Sequence, residues 1–269
     1  MAHAASGVGT GLQQVDAPPG LGKRPGKTFR ERAYDVAMAF MKPMAAIVER
    51  TSLVPTTPFL RSEDFIWTRP LEANWREIRR ELDSVLVYRD DLPAFHEINA
   101  DATDIRNPDW KSFFLYGFGK RSDANCRRCP RTAELIERVP GVTTAFFSIM
   151  LPGVRLPPHT GPWKGFLRYH LGLMIPEPAD KCGIVVGGQS ARWAEGRSLM
   201  FDDTYEHEAW NESSGTRVVL FLDVVRPCRF PGSWINRSVI GIAARSPFIR
   251  TMSKRHEEWQ RRFSQQHGT

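Results

Sequence analysis

Gly165-Phe166-Leu167-Arg168-Tyr169-His170-Leu171-Gly172-Leu173-Met174-Ile175 reads as a strand with two unlike faces. Alternation puts Phe166, Arg168, His170 and Gly172 on one side and Leu167, Tyr169, Leu171 and Leu173 on the other. The second side is apolar and must meet a core. The first carries an arginine and a histidine two residues apart, which is wasted in solvent but forms a compact anion receptor if it looks into a barrel lumen.

Outward from this strand the β pattern continues. Residues 143–151, 182–186, 197–201 and 217–225 are strand candidates separated by Gly/Pro/Asn/Asp clusters, with an apolar-aromatic run at 110–118 ahead of them. Such spacing is that of a sandwich or barrel rather than of alternating strand-helix units. Helical periodicity covers 28–53, where Pro43 should kink or end the first half, then 71–83 with Trp75, Ile78 and Leu82 on one face, and a short stretch at 132–139. After the last strong strand, 231–236 is expected to turn and 247–263 to form a basic helix.

Composition narrows the class. The chain has 269 residues, 41% apolar and 25% charged, so neither a collagen-like nor a wholly disordered chain is indicated. A net charge of +7, with basic residues crowding 23–32 and 245–262, favours anionic surfaces without choosing among them. No aromatic-rich RNA motif accompanies these charges, so no nucleic-acid partner is expected. Gly26-Lys27-Thr28 mimics the end of a phosphate-binding loop, but Leu21 stands where its first glycine belongs.

The first thirty residues lack the apolar segment of a signal peptide, and 33–48 is too short and too charged to span a bilayer. A cytoplasmic location follows, with peripheral contact at an anionic membrane face open to the amphipathic stretch. Cys126 and Cys129 form a Cys-Arg-Arg-Cys pair, but Cys182 and Cys228 are single, so reduced thiols are favoured over zinc, a disulfide or an activated thiol.

Two histidines carry the candidate chemistry: His159 in Pro-His-Thr-Gly-Pro, and His207, which follows Phe201-Asp202-Asp203. They would have to converge from different strands on one cation, with Asp202 or Asp203 placed to orient an imidazole. Arg217, at the entrance of the last strong strand, gains meaning only in their company. Imidazole-bound iron with open positions is the usual setting of non-haem oxygen chemistry.

Taken together, Ser148-Ile149-Met150-Leu151-Pro152-Gly153, His159-Thr160-Gly161-Pro162, Leu167-Arg168-Tyr169-His170-Leu171-Gly172-Leu173, Phe201-Asp202-Asp203 with His207-Glu208-Ala209-Trp210, and Arg217 leading to Asp223 resemble the aspartyl/asparaginyl β-hydroxylase family of Fe(II)/2-oxoglutarate-dependent dioxygenases. The resemblance covers about 110–227. It implies a mainly β fold with flanking helices around a double-stranded β-helix, or jelly roll. It implies His159 and His207 as iron ligands, Ser148, Arg168, His170 and Arg217 as contacts of 2-oxoglutarate, and a hydroxylation that consumes O2 and releases succinate. Related oxygenases carry a carboxylate two residues after the first histidine; Gly161 stands there, a gap the family shares, with Glu206 or Glu208 the weaker replacement.

Family members acting on peptidyl aspartate place basic residues where Phe146 and Phe166 stand here. An aromatic wall cannot pair a substrate carboxylate. A lipid acyl chain, of the lipid A or ornithine lipid kind, is therefore the expected substrate, ahead of an aspartyl or asparaginyl residue in a peptide and of a non-catalytic jelly roll that binds metal or acid. The expected organisation is a disordered leader at 1–27, a helical and loop segment at 28–109 packed on the core, the dioxygenase core at 110–227 and a basic appendage at 228–269.

Overall fold

The computed structural model describes residues 41–99, 105–117 and 119–267. The expected leader and the first half of the amphipathic stretch 33–48 lie outside the described residues; residues 41–50 are helical through Pro43. Met41–Thr269 form one compact unit.

The strands are β1 (Phe59–Leu60), β2 (Trp110–Gly117), β3 (Lys120–Arg121), β4 (Val142–Met150), β5 (Val154–His159), β6 (Phe166–Met174), β7 (Cys182–Val186), β8 (Gln189–Ala191), β9 (Ser198–Phe201), β10 (His207–Asn211) and β11 (Arg217–Val225). They make a seven-stranded sheet ordered β1-β9-β6-β11-β4-β2-β3 and a four-stranded sheet ordered β5-β10-β7-β8. The antiparallel pairs are nested: β4 with β11, β5 with β10, β6 with β9 and β7 with β8. Successive strands thus cross between sheets as one long hairpin coiled on itself, which is the double-stranded β-helix.

Strand β11 shows why this sequence closes that way. Val218, Leu220, Leu222 and Val224 are all buried on one side of it. Its other residues look inward, Phe221 against Phe146 and His170, and Asp223 against Arg168. Arg79 of the helix Trp75–Leu86 donates to Leu173 O on β6 at 2.8 Å, and Trp67 meets Tyr169 edge-on at 5.1 Å.

Several expectations shift. The helix expected over 71–83 is two, Thr68–Ala73 and Trp75–Leu86, broken at Asn74. Glu81 caps the next long helix, Pro130–Glu137, by accepting from the Arg131 and Thr132 N–H groups at 2.8 Å each, and a further short helix, Asp123–Arg128, precedes it. Of the turn expected at 231–236 only Pro231 remains, as the N-cap, and residues 232–236 open the helix Gly232–Ala244. The basic tail, expected to pack on the barrel, does so through its last helix. The helix Pro247–His267 buries Ile249, Met252, Trp259 and Phe263, and Trp259 lies edge-on to Phe113 of β2.

Strands β5 and β10 were absent from the sequence expectation. Pro157 and Pro158 cannot donate to a ladder, and β5 tolerates them because it is a sheet edge bonded only to β10. Cys126 and Cys129 are free and buried, with no sign of an activated thiol: burial pushes the Cys126 thiol up to about 11 and the Cys129 thiol higher still.

Candidate active site

His159 ends β5 and His207 begins β10, and they are direct register partners. Their ring centroids lie 4.1 Å apart. The sequence had offered Asp202 or Asp203 to orient a ring, but their carboxylates meet Arg226, Lys164, Thr204 and Arg168, and they are not what orients His207. Backbone carbonyls orient the rings: the Nδ1–H of His159 donates to Pro157 O at 2.8 Å and that of His207 to Tyr205 O at 2.9 Å. This tautomer makes Nε2 the lone-pair nitrogen of each ring. His207 Nε2 is buried with no hydrogen-bond partner among the described residues, and burial pulls the imidazole down to about 3, so it stays neutral. A neutral, oriented imidazole with an unmet buried lone pair is what a cation requires. No group of three or more His, Cys, Asp or Glu among the described residues is arranged to hold a metal ion, so any ion here rests on the two imidazoles. Glu206 is exposed and Glu208 turns to Arg155, so neither replaces the missing carboxylate.

Behind the histidines the lumen is lined with unmet donors. Trp193 Nε1–H donates to His170 Nδ1 at 3.2 Å, leaving the proton on His170 Nε2, which is buried and unpartnered. Burial and the nearby Arg217 hold His170 well below its ordinary range, hence neutral. Arg217 is 2% exposed, lies over the Trp193 ring at 4.3 Å, and donates from Nη1 to Ser148 Oγ and O at 3.3 Å each. Its Nη2 meets Met150 Sδ, and its Nε has no partner among the described residues. Trp110 Nε1–H donates to Ser148 Oγ at 3.0 Å, which frees the serine proton for another acceptor. A buried guanidinium that meets only neutral acceptors, beside two further donors, is an incomplete anion site.

Ser148, His170 and Arg217 are thus brought together through two tryptophans that sequence reasoning missed. Trp193 lies in the segment between β8 and β9, with no periodicity to mark it. Gly172 makes room for it: a Cβ there would stand 2.1 Å from Ala194 O, so only glycine lets this segment cross the sheet. Trp110 was legible as part of a strand, not as a site residue.

Arg168 has a different setting. Its Nε donates to Asp223 at 3.0 Å and its Nη2 meets Asp203 at 2.9 Å, with Phe221 beneath it. The two carboxylates raise its pKa against the opposing effect of burial. Asp203 Oδ1 is buried and unpartnered among the described residues, and burial pushes this acid up to about 6. Phe201 packs between His170 and His207 at 5.1 and 5.7 Å. Phe146 is wholly buried, stacked among Phe114, Phe221 and Phe95 at 4.7, 4.3 and 5.6 Å, whereas Phe166 is half-buried at the start of β6.

A jelly roll with an imidazole pair at one mouth and a buried, acid-seeking arginine behind it defines a class: barrel proteins equipped to hold a cation next to an anionic ligand. Residues 72–227 match the aspartyl/asparaginyl beta-hydroxylase family, and the chain belongs to that family. It is 45% identical over 210 residues to the ornithine lipid ester-linked acyl 2-hydroxylase of Rhizobium tropici, covering 77% of this chain and 74% of that one. It is also 36% identical over 164 residues to the aspartyl/asparaginyl beta-hydroxylase of Homo sapiens, covering 59% of this chain and 21% of the human protein. A third relative, the human aspartate beta-hydroxylase domain-containing protein 2, is 34% identical over 186 residues, with 65% and 48% covered. The chain therefore spans about a fifth of the one human relative and about half of the other.

Proposed function

We propose that this chain is an Fe(II)- and 2-oxoglutarate-dependent hydroxylase acting on the acyl chain of a lipid of the ornithine lipid type. The observation that carries the reading is the 45% identity with the Rhizobium tropici acyl 2-hydroxylase across three-quarters of both chains. His159 and His207 would hold the iron through Nε2. Arg217, His170 and Ser148 offer the donors for the carboxylates of 2-oxoglutarate, with Arg168 close by. Bound iron with its cosubstrate supplies the oxidising power, 2-oxoglutarate and O2 giving succinate, carbon dioxide and one oxygen atom for a C–H bond.

The chain's own residues orient and exclude water. Pro157 O and Tyr205 O fix the imidazole tautomers. Trp193 bridges Arg217 and His170, and Phe201 closes the gap between His170 and His207. The wall of Phe146, Phe114 and Phe221 suits hydrocarbon, whereas a peptidyl carboxylate set against it would lose its hydration without gaining a cation. Peripheral contact with an anionic membrane belongs to the same reading.

The test is turnover of ornithine lipid dispersed in detergent by the Fe(II)-loaded chain, followed by succinate release and lipid mass spectrometry. The expected product gains one oxygen atom on an acyl chain. Oxygen gained by an aspartyl or asparaginyl peptide while the lipid stays unchanged would transfer the assignment to the peptide. Absence of succinate with either would leave a binding protein.

A further inference from the structure

The helix Gly232–Ala244 has the composition of a core helix and the placement of a surface one. It reads Gly-Ser-Trp-Ile-Asn-Arg-Ser-Val-Ile-Gly-Ile-Ala-Ala, yet only Gly232 and Asn236 are buried. Trp234 is 66% exposed, Ile242 73%, and Phe230 just ahead 80%, three of the six large apolar side chains most exposed among the described residues. Leu53, a fourth, is held alongside: its N–H donates to Pro227 O at 2.9 Å, and Arg229 N–H to Thr51 O at 2.8 Å. Single exposed apolar residues need no explanation, but a run of them marks a contact surface.

Charge selects the partner. Between Asp223 and Glu257 the chain carries seven Lys or Arg and no acid. Arg226 is spent on buried Asp202. Of the rest, Arg245 and Arg250 hydrogen-bond to the backbone carbonyls of Gly241 and Arg245, which leaves their charge in place. At 100° per residue Arg237 and Arg245 share the face of Trp234. Aromatic and aliphatic side chains flanked by cations, with no carboxylate in this stretch of chain and the neighbouring Glu49 paired with Lys164, match the boundary between acyl chains and anionic headgroups.

The helix is also joined to the site. Buried Asn236 accepts from Trp163 Nε1–H at 2.8 Å and donates to Gly165 O at 2.9 Å. Those two residues belong to the loop that runs from His159 into β6.

We propose that Phe230, Trp234 and Ile242, flanked by Arg229, Arg237 and Arg245, dock this protein on an anionic phospholipid bilayer and bring the 160–165 loop to the membrane. The proposal rests on the lipid reading for its purpose, but binding can be measured without turnover.

The full chain is floated with phosphatidylcholine vesicles, with and without phosphatidylglycerol. Flotation that needs the anionic lipid, weakens with salt and falls at least about tenfold in Trp234→Ser/Ile242→Ser and in Arg237→Glu/Arg245→Glu, with melting unchanged, is the expected result. Wild-type chain that stays at the bottom, or variants that float as well as it does, would overturn the proposal. So would a dimer in light scattering that the serine pair dissolves, since a second copy would then be the occupant. Slow maleimide labelling of Ile242→Cys without vesicles would overturn it too, because residues 1–40 would already cover the face. Turnover in detergent micelles reports the hydroxylase reading alone, so its failure and a failure to float are separate results.

Discussion

The carboxylate of Asp203 fills the space that a side chain at position 161 would need. A Cβ built on Gly161 would stand 2.2 Å from Asp203 Oδ2, and Gly161 N–H donates to Asp203 O at 2.7 Å. Delivered by the loop before β10 and held by Arg168, this carboxylate takes up the space beside residue 161 without joining the two histidines in a three-ligand group among the described residues. Glycine at 161 is the condition for that delivery.

Gly161→Ala should therefore cost about 1–3 kcal/mol, the usual range for overpacking a filled site. Much of the cost should return in Gly161→Ala/Asp203→Gly, where the clashing carboxylate is gone. A thermal-melt double-mutant cycle reads a coupling above about 0.5 kcal/mol. Strict additivity would mean that the loop relaxes freely.

His159→Ala and His207→Ala should each lower Fe(II) binding and succinate formation by more than about 100-fold, since losing even an outer partner of a metal ligand costs about 10–100-fold. Metal content after gel filtration checks this independently of turnover. An alanine variant that retains iron would remove that histidine from the ligand set.

Arg217→Met separates stability from function. Arg217 is buried against neutral acceptors, and burial pulls its guanidinium down to about 10. Replacing it with an apolar side chain should leave the ligand-free fold unchanged or stabilise it by about 1 kcal/mol. Binding of 2-oxoglutarate should weaken by more than about tenfold, the loss of a charge-assisted pair. Calorimetric titration and melting together decide; unchanged affinity would place the cosubstrate elsewhere.

Stability should fall in mild acid. Burial lowers His256 from 6.5 to about 4, and it also lowers His170 and His207. The unfolded chain therefore binds more protons between those values, so the contribution is fully present above 6.5 and is lost as pH falls through about 4. For His256 it amounts to at most roughly 3 kcal/mol. The fall in melting temperature across that window should be shallower in His256→Gln, which lies outside the candidate site; an identical profile would mean that His256 does not contribute.

Phe166→Lys probes substrate class. Phe166 is half-buried at a strand start, so the fold should change by less than about 1 kcal/mol. Lipid turnover should drop about tenfold or more through the cost of a charge beside the acyl chain, with the KM for 2-oxoglutarate unchanged. Unaltered lipid turnover would move the acyl chain away from this residue.

Strands β6 and β11 were legible because each has one continuous apolar face, and the bounds of β11, Arg217–Val225, coincide with the apolar run. Alternation also marked His170 and Arg168 on one face of β6, whereas Ser148 and Arg217 entered the anion niche through the family resemblance, since a serine in a strand and an arginine at a strand entrance are ordinary by themselves. Strands β5 and β10 were not, although they carry the histidines. Val-Arg-Leu-Pro-Pro-His and His-Glu-Ala-Trp-Asn have weak intrinsic strand character; the first is a strand because β10 lies beside it, and the second because β5 and β7 flank it.

By itself the amino-acid sequence determined which side chains face inward and which residue types could hold a cation and an acid, because alternation and turn chemistry are local. Tertiary structure alone decided that His159 and His207 share a register, that Trp193 folds over Arg217, that Asp203 fills the place beside Gly161 and that a tryptophan-bearing apolar helix is left facing out. Those outcomes depend on backbone pairing and packing between segments far apart in the chain, which no local pattern encodes.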